Sequence, residues 1–385
     1  MSSSTGNIGD EITINGQNFN SNGNYIIQFN GVNGVITEIT STAIKVQIPS
    51  GATSGDIVLV YNDISTVIGS ITINLNNLYG YKYFGNPSGD SSEQKQIVEI
   101  DKSNGTSQLV ASLNVNSTYF ENIVFDSSSN KIIGLYDVDD NNVSQSLLII
   151  DLNNGNSQTV DLNNVSENSR YSGLVVGNNS KIYGYKYYGN PSGNSSEQKQ
   201  IVEIDKSNGT SQLVATLNIN STYFGNLVFD SSSNKIIGLY DVDDNNVSQS
   251  LLIVDLNNGN SQTVHLNNVS ENSRYSGLIV GNNSKLYGYK YYGTPSGDSS
   301  EQKQIVEIDK SNGTSQLVAT LNVISTYFGN LVFDSSSNKI IGLYDVDDNN
   351  VSQSLLIVDL NNGNSQTVDL NNVSENSRYS GLINE

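Results

Sequence analysis

The stretch LYDVDDNNVSQSLL occurs three times, starting at Leu135, Leu239 and Leu343. Each copy sets carboxylates and amides between two apolar runs. Asp137, Asp139 and Asn141 stand at alternating positions. So do Asp241, Asp243 and Asn245 in the second copy, and Asp345, Asp347 and Asn349 in the third. Oxygen donors at this spacing are what a Ca²⁺ loop uses. An EF-hand is excluded, because its sixth and twelfth positions would be Asn142 and Leu148, where Gly and a bidentate Glu are needed. Three readings stay open. One is a looser Ca²⁺ site completed from a neighbouring loop. The second is a polar turn, in which Asp and Asn bond their own backbone. The third is direct contact with a ligand.

Tyrosine supplies the second signal, with 22 Tyr and no Trp. Arg170, Arg274 and Arg378 are the only arginines, and each precedes a tyrosine: Tyr171, Tyr275 and Tyr379. A Tyr ring beside Arg, Asp and Asn is a platform on which a sugar can stack while its hydroxyls are hydrogen-bonded. Tyr119, Tyr223 and Tyr327, in the three STYF segments, are further candidates. The plainer reading places these rings in core and rim, with each arginine paired to a nearby acid such as Glu167, Glu271 or Glu375. The single histidine, His265, is matched by Asp161 and Asp369 in the equivalent repeats, as a drifting surface position would be. With one such His and no Cys, Cys/His dyads and His-rich zinc sites are excluded. Glu121, which replaces Gly225 and Gly329, is one carboxylate without a partner pattern. No phosphate loop or Ser/His/Asp set is visible. The expectation is a non-enzymatic protein that requires no cofactor, Ca²⁺ being the one left open.

The formal charge is −20 over 385 residues. Nucleic acid and anionic membrane both need a basic footprint, so neither is expected as a partner. No apolar run approaches the roughly 20 residues of a spanning helix. The opening MSSSTGNIGDEITING has neither a basic nor an apolar leader region, so no signal peptide is expected in it. A cytoplasmic protein, one exported by another route, or a trimmed form of a secreted or cell-surface protein all fit.

These residues are positioned by repeats. YGYKYFGNPSG at Tyr79, YGYKYYGNPSG at Tyr183 and YGYKYYGTPSG at Tyr287 recur every 104 residues. Each unit is double. A Lys-apolar-apolar-Gly run comes first, then an apolar run ending in Asp and Asn-Gly, then a short apolar run, then an aromatic-led run. All are short, β-branched or aromatic, and bounded by Asn, Gly and Ser, as strands are. Asn-Gly between two such runs is a hairpin signal. A four-strand unit of about 52 residues repeated around a ring is a β-propeller. Six aromatic-led strands are predicted near Tyr119, Tyr171, Tyr223, Tyr275, Tyr327 and Tyr379. Six second strands are predicted near Leu78, Lys131, Lys181, Lys235, Lys285 and Lys339. The first blade lacks an innermost strand and the chain ends on a spare one, RYSGLINE, so that strand should close the ring. KIYGYKY, QIVEIDKSNG, SQLVATL and YFGNLVFDSSSN resemble the YVTN-like propeller repeat family over residues 78–385.

Residues 1–77 differ. GNIGDEITINGQNF, IIQFNGV, STAIKVQIPSGATSGDIVLVYND and STVIGSITI resemble the IPT/TIG family of immunoglobulin-like sandwiches, with Gly9, Thr13, Gly16, Phe19, the Pro49 turn and Gly55 where its pattern has them. The apolar first strand usual in that family is expected to be missing, which would leave an open edge. The Asn- and Ser-heavy composition resembles that of dictyostelid proteins. The expected protein is therefore all-β: an immunoglobulin-like sandwich, then a six-bladed propeller of three two-blade units, closed by its C-terminal strand. The loops joining second to third strands, and each blade to the next, share one face and are expected to be the working face. The expected function is multivalent recognition of glycans or glycoproteins in adhesion. The alternative is a structural or assembly scaffold that binds protein partners, with strand-exchange assembly into homo-oligomers through the open edge.

Overall fold

The computed structural model describes the chain apart from residues 1–4, 8–9, 50–51, 53–54, 75–76, 85–93, 114, 116–119, 139–143, 167, 189–197, 220–223, 243–247, 271–272, 293–301, 324–327, 347–351, 375–376 and 385. The chain divides into two compact units, Met1–Asn76 and Asn77–Glu385.

The first unit has two sheets. One runs, in spatial order, Thr5–Asn7, Ile64–Asn74, Gly55–Tyr61, Tyr25–Phe29 and Val32–Asn33. The other runs Glu11–Asn15, Ala43–Gln47 and Val35–Ile39. Alternation in EITIN turns Ile12 and Ile14 inward, where they meet Ile27, Phe29, Ile44, Val46 and Ile57 in one core. The apolar first strand expected to be missing would precede Thr5, outside the described residues. Thr5–Asn7 pairs in parallel with Thr72–Asn74.

The second unit is six four-stranded antiparallel sheets. Their inner strands are Phe120–Asp126, Ser169–Val176, Phe224–Asp230, Ser273–Val280, Phe328–Asp334 and Ser377–Asn384. Each neighbours the next, and the last neighbours the first. The result is a closed six-bladed ring. In the first blade Ser377–Asn384 pairs with Leu78–Phe84, followed outward by Gln94–Ile100 and Ser107–Leu113. The register sets Tyr379 opposite Lys82, as Tyr171 lies opposite Lys186 in the third blade and Tyr275 opposite Lys290 in the fifth. The closing strand thus repeats a pairing made twice within the chain.

The six blade interfaces alternate between two kinds. From odd blade to the following even blade, tyrosines fill the space: Tyr183 and Tyr185 pack with Phe224, Ile236 and Tyr240. From even to odd, the fillers are aliphatic with one buried tyrosine: Ile133, Leu135, Leu147 and Ile149 meet Tyr171, Leu174 and Ile182. The same even-to-odd packing recurs between the fourth and fifth blades and between the sixth and first. The structural repeat is therefore two blades, matching the 104-residue period.

Candidate functional site

Each even-to-odd interface carries an ion pair on the face expected to work. The Arg170 guanidinium donates to both oxygens of Asp137 at 2.6 Å. Arg274 donates to Asp241, and Arg378 to Asp345, also at 2.6 Å. In the first pair the side chains are only 12% and 7% exposed. Each arginine leaves the inner strand of an odd blade and meets the end of the second strand of the blade before it. These pairs bear on two expectations. The arginines pair across blades with aspartates; Glu167, Glu271 and Glu375 lie outside the described residues. Asp137, Asp241 and Asp345, expected as first ligands of a Ca²⁺ loop, already have a cation of the protein against their carboxylates. Asp139, Asn141, Asp243, Asn245, Asp347 and Asn349 lie outside the described residues. Among the described residues no group of three or more His, Asp or Glu is arranged to hold a metal ion.

Tyr171, Tyr275 and Tyr379 are 1–2% exposed. Their rings lie over Gly184, Gly288 and Gly80, where a Cβ would come within 2.7–2.9 Å of the ring carbons. Gln145 of the neighbouring blade brackets the Tyr171 backbone, accepting from its N–H at 2.7 Å and donating to its C=O at 3.0 Å. Gln249 and Gln353 do the same for Tyr275 and Tyr379. No ring face remains for a sugar, so the expected stacking role of these three is corrected: alternation along SRYSGL turns the ring into the interface. Tyr119, Tyr223 and Tyr327 lie outside the described residues.

Beneath these rings sits a group the sequence reading passed over. Lys186 is fully buried, with its ammonium 4.7 Å from the centre of the Tyr171 ring and 5.0 Å from that of Tyr188. Lys290 sits 4.9 Å from both Tyr275 and Tyr292, and donates to the Asn268 carbonyl at 2.8 Å. Lys82 lies between Tyr379 and Phe84 and donates to the Asn372 carbonyl at 2.8 Å. Burial pushes Lys186 and Lys290 down to about 8, and Lys82 down as well. The available signal was YGYKYY: the lysine shares a strand face with the glycine, which is the face the inner tyrosine covers.

The opposite face is pinned too. Lys206 donates to Asp126 of the preceding blade at 2.6 Å, Lys310 to Asp230 at 2.6 Å and Lys102 to Asp334 at 2.8 Å. Burial acts to raise Asp126, but hydrogen bonds from Lys206, Ser129 and Ser180 outweigh it and hold the carboxyl at about 2. His265 accepts or donates one bond with Ser250 at 2.8 Å, the bond Asp161 and Asp369 make with Ser146 and Ser354. Its exchange with aspartate therefore preserves a contact.

Three cavities matter. An axial one of 340 Å³ is lined by inner-strand residues such as Leu174, Leu227, Leu278 and Leu331. Two equivalent cups open on the face opposite the one expected to work. One, of 420 Å³, is lined by Lys181, Glu203, Lys206, Thr210 and Gln212 over Ile182 and Ile204. The other, of 460 Å³, has Lys285, Glu307, Lys310, Thr314 and Gln316 over Leu286 and Ile308.

The family model of the IPT/TIG domain matches residues 1–75. Comparison with curated proteins returned no match. Among solved structures, a DUF4784 family protein from Bacteroides caccae ATCC 43185 is 14% identical, with 98% of this chain and 96% of that chain covered and a TM-score of 0.45. An auxiliary nutrient binding protein from Bacteroides ovatus ATCC 8483 is 12% identical, with 94% and 83% covered and a TM-score of 0.41. An oligogalacturonate lyase in complex with manganese is 12% identical, with 82% and 81% covered and a TM-score of 0.46.

Proposed function

We propose that the chain is a non-enzymatic, multivalent binding module whose ligands are glycans or glycoproteins. The observation that carries this reading is the ring itself: three near-identical two-blade units, held by the same cross-blade ion pairs, present the same surface repeatedly on one rigid body. The repeat grammar that resembles YVTN-like propellers fits a scaffold of this kind, and propellers host many functions. The arginines and inner tyrosines act here as pins of the scaffold. Recognition then falls to other polar surface of the ring, and Tyr119, Tyr223 and Tyr327 stay candidates for contact. A Ca²⁺ ion in the DVDDNN segments would have to compete with Arg170 and its equivalents, so Ca²⁺ is not required. Screening the intact chain on a broad glycan array tests the reading. Binding to a defined glycan class supports it; no hit at any density removes it.

A second reading rests on the first unit. Among the described residues, the strand Ile64–Asn74 is flanked on its outer side by Thr5–Asn7 only beside Thr72–Asn74. The remaining stretch, ISTVIGSI, carries no charge, and Ile64 and Val67 are 69% and 60% exposed. Such an edge can accept a strand from another copy. Light scattering at rising concentration would then show dimers that Val67→Lys abolishes. A chain that stays monomeric at high concentration rules this out.

A further inference from the structure

The two cups follow the repeat. Each is floored by apolar residues at the start of the second strand and the end of the third, and rimmed by paired charges and amides. In the first cup Lys181 donates to Glu203 at 2.8 Å, and Lys206 is held by Asp126 at 2.6 Å. In the second, Lys285 donates to Glu307 at 2.8 Å, and Lys310 is held by Asp230 at 2.6 Å. Both lysine–glutamate pairs keep substantial exposure, near 50% for the lysines and 33–36% for the glutamates. Gln212 and Thr210 are exposed beside them. The volumes fall in the range of small-molecule sites.

The charge pattern selects the ligand chemistry. Every ammonium named here already faces a carboxylate, so a ligand with net charge gains against one partner and loses against the other. A neutral molecule with several hydroxyls meets both: it accepts from the ammonium and amide and donates to the carboxylate, in charge-assisted bonds stronger than neutral ones. We propose that these two cups are saccharide sites, each taking one neutral sugar residue, with Lys181 or Lys285 and Gln212 or Gln316 donating to its hydroxyls and Glu203 or Glu307 accepting from them. This rests on the glycan reading and locates it.

The first blade breaks the pattern. Asn77 stands where Lys181 and Lys285 stand, and its amide donates to the Tyr79 hydroxyl at 3.2 Å. Glu99, the counterpart of Glu203, thus lacks that lysine, and burial pushes its carboxyl up. Among the described residues, two of the three units therefore carry the lysine–glutamate rim.

Isothermal titration of the intact chain with the methyl glycosides of glucose, galactose, mannose and N-acetylglucosamine tests the proposal. At least one should bind at two sites per chain. Lys181→Met with Gln212→Ala should leave one site. Adding Lys285→Met with Gln316→Ala should leave none, with the melting temperature unchanged because these side chains are exposed. Sugar binding that survives in the fourfold variant overturns the assignment of the cups while leaving the glycan reading standing. Binding confined to charged glycans on the array, with none to this neutral panel, overturns the neutral-ligand assignment. A chain that binds no glycoside of the panel and no array glycan overturns both.

Discussion

Arg170 and Asp137 illustrate why a chemically suggestive residue can be a structural one. The pair is largely removed from water, so its worth is set by whether either partner is left alone. Arg170→Met strands the Asp137 carboxylate against apolar strands, and should cost about 3 kcal/mol, the lower end for a buried pair. The equivalent change at Arg274 or Arg378 should cost the same, measured by urea unfolding. A loss below about 0.5 kcal/mol would mean the pair behaves as a surface one. The buried lysines yield a pH dependence with a definite sign. Lys186 and Lys290 sit at about 8 in the folded chain against 10.5 when exposed. Between those values the unfolded chain holds more protons, so stability rises with pH across this window. The buried Tyr171 and Tyr275 hydroxyls are raised above 10, which opposes the trend at the upper end. Thermal melts from pH 7.5 to 9.5 should show the increase, and Lys186→Met should reduce its slope. A flat profile would mean the ammonium groups are not desolvated as the structure has them.

At the scale of strands and hairpins, the short β-branched runs and the Asn-Gly turns made the four-strand unit legible, and the spare RYSGLINE made the closing strand legible. What could not be read was pairing between blades. Arg170 and Asp137 are 33 residues apart, and Lys206 and Asp126 are 80 apart. Such contacts depend on how neighbouring blades stack, which strand periodicity does not contain. The hairpin glycines show the same limit. Gly105, Gly209 and Gly313 adopt positive φ of 71–74°, which Asn-Gly turns anticipate. Their second constraint is external: a Cβ on Gly209 would lie 1.9 Å from the Asp161 carbonyl of the preceding blade. The Asn163 N–H also donates to the Gly209 carbonyl at 3.0 Å, so the two backbones are tied. Gly209→Ala should thus cost more than the roughly 1 kcal/mol of a strained turn alone, with urea unfolding as the measurement. A cost under that figure would show the blades can part locally without penalty.

For the whole molecule, closure and display are linked. The last interface uses Arg378 with Asp345, Tyr379 with Gln353, and Asn371 with Gly105, the same set that joins the second blade to the third. Deleting residues 377–385 removes the inner strand of the first blade and exposes both Leu78–Phe84 and the sixth blade. The melting temperature should fall by more than 10 °C, and a synthetic peptide of the deleted strand should restore part of it by mass action. An unchanged melting temperature would rule the closure out. A closed ring holds its binding surfaces at fixed separation, which converts weak single contacts into avidity. The most direct test of this account is surface binding of the intact chain as immobilised glycan density is raised. Apparent affinity should climb by about 10²–10⁴ between sparse and dense surfaces, whereas an affinity independent of density, or no binding at any density, would contradict multivalent display.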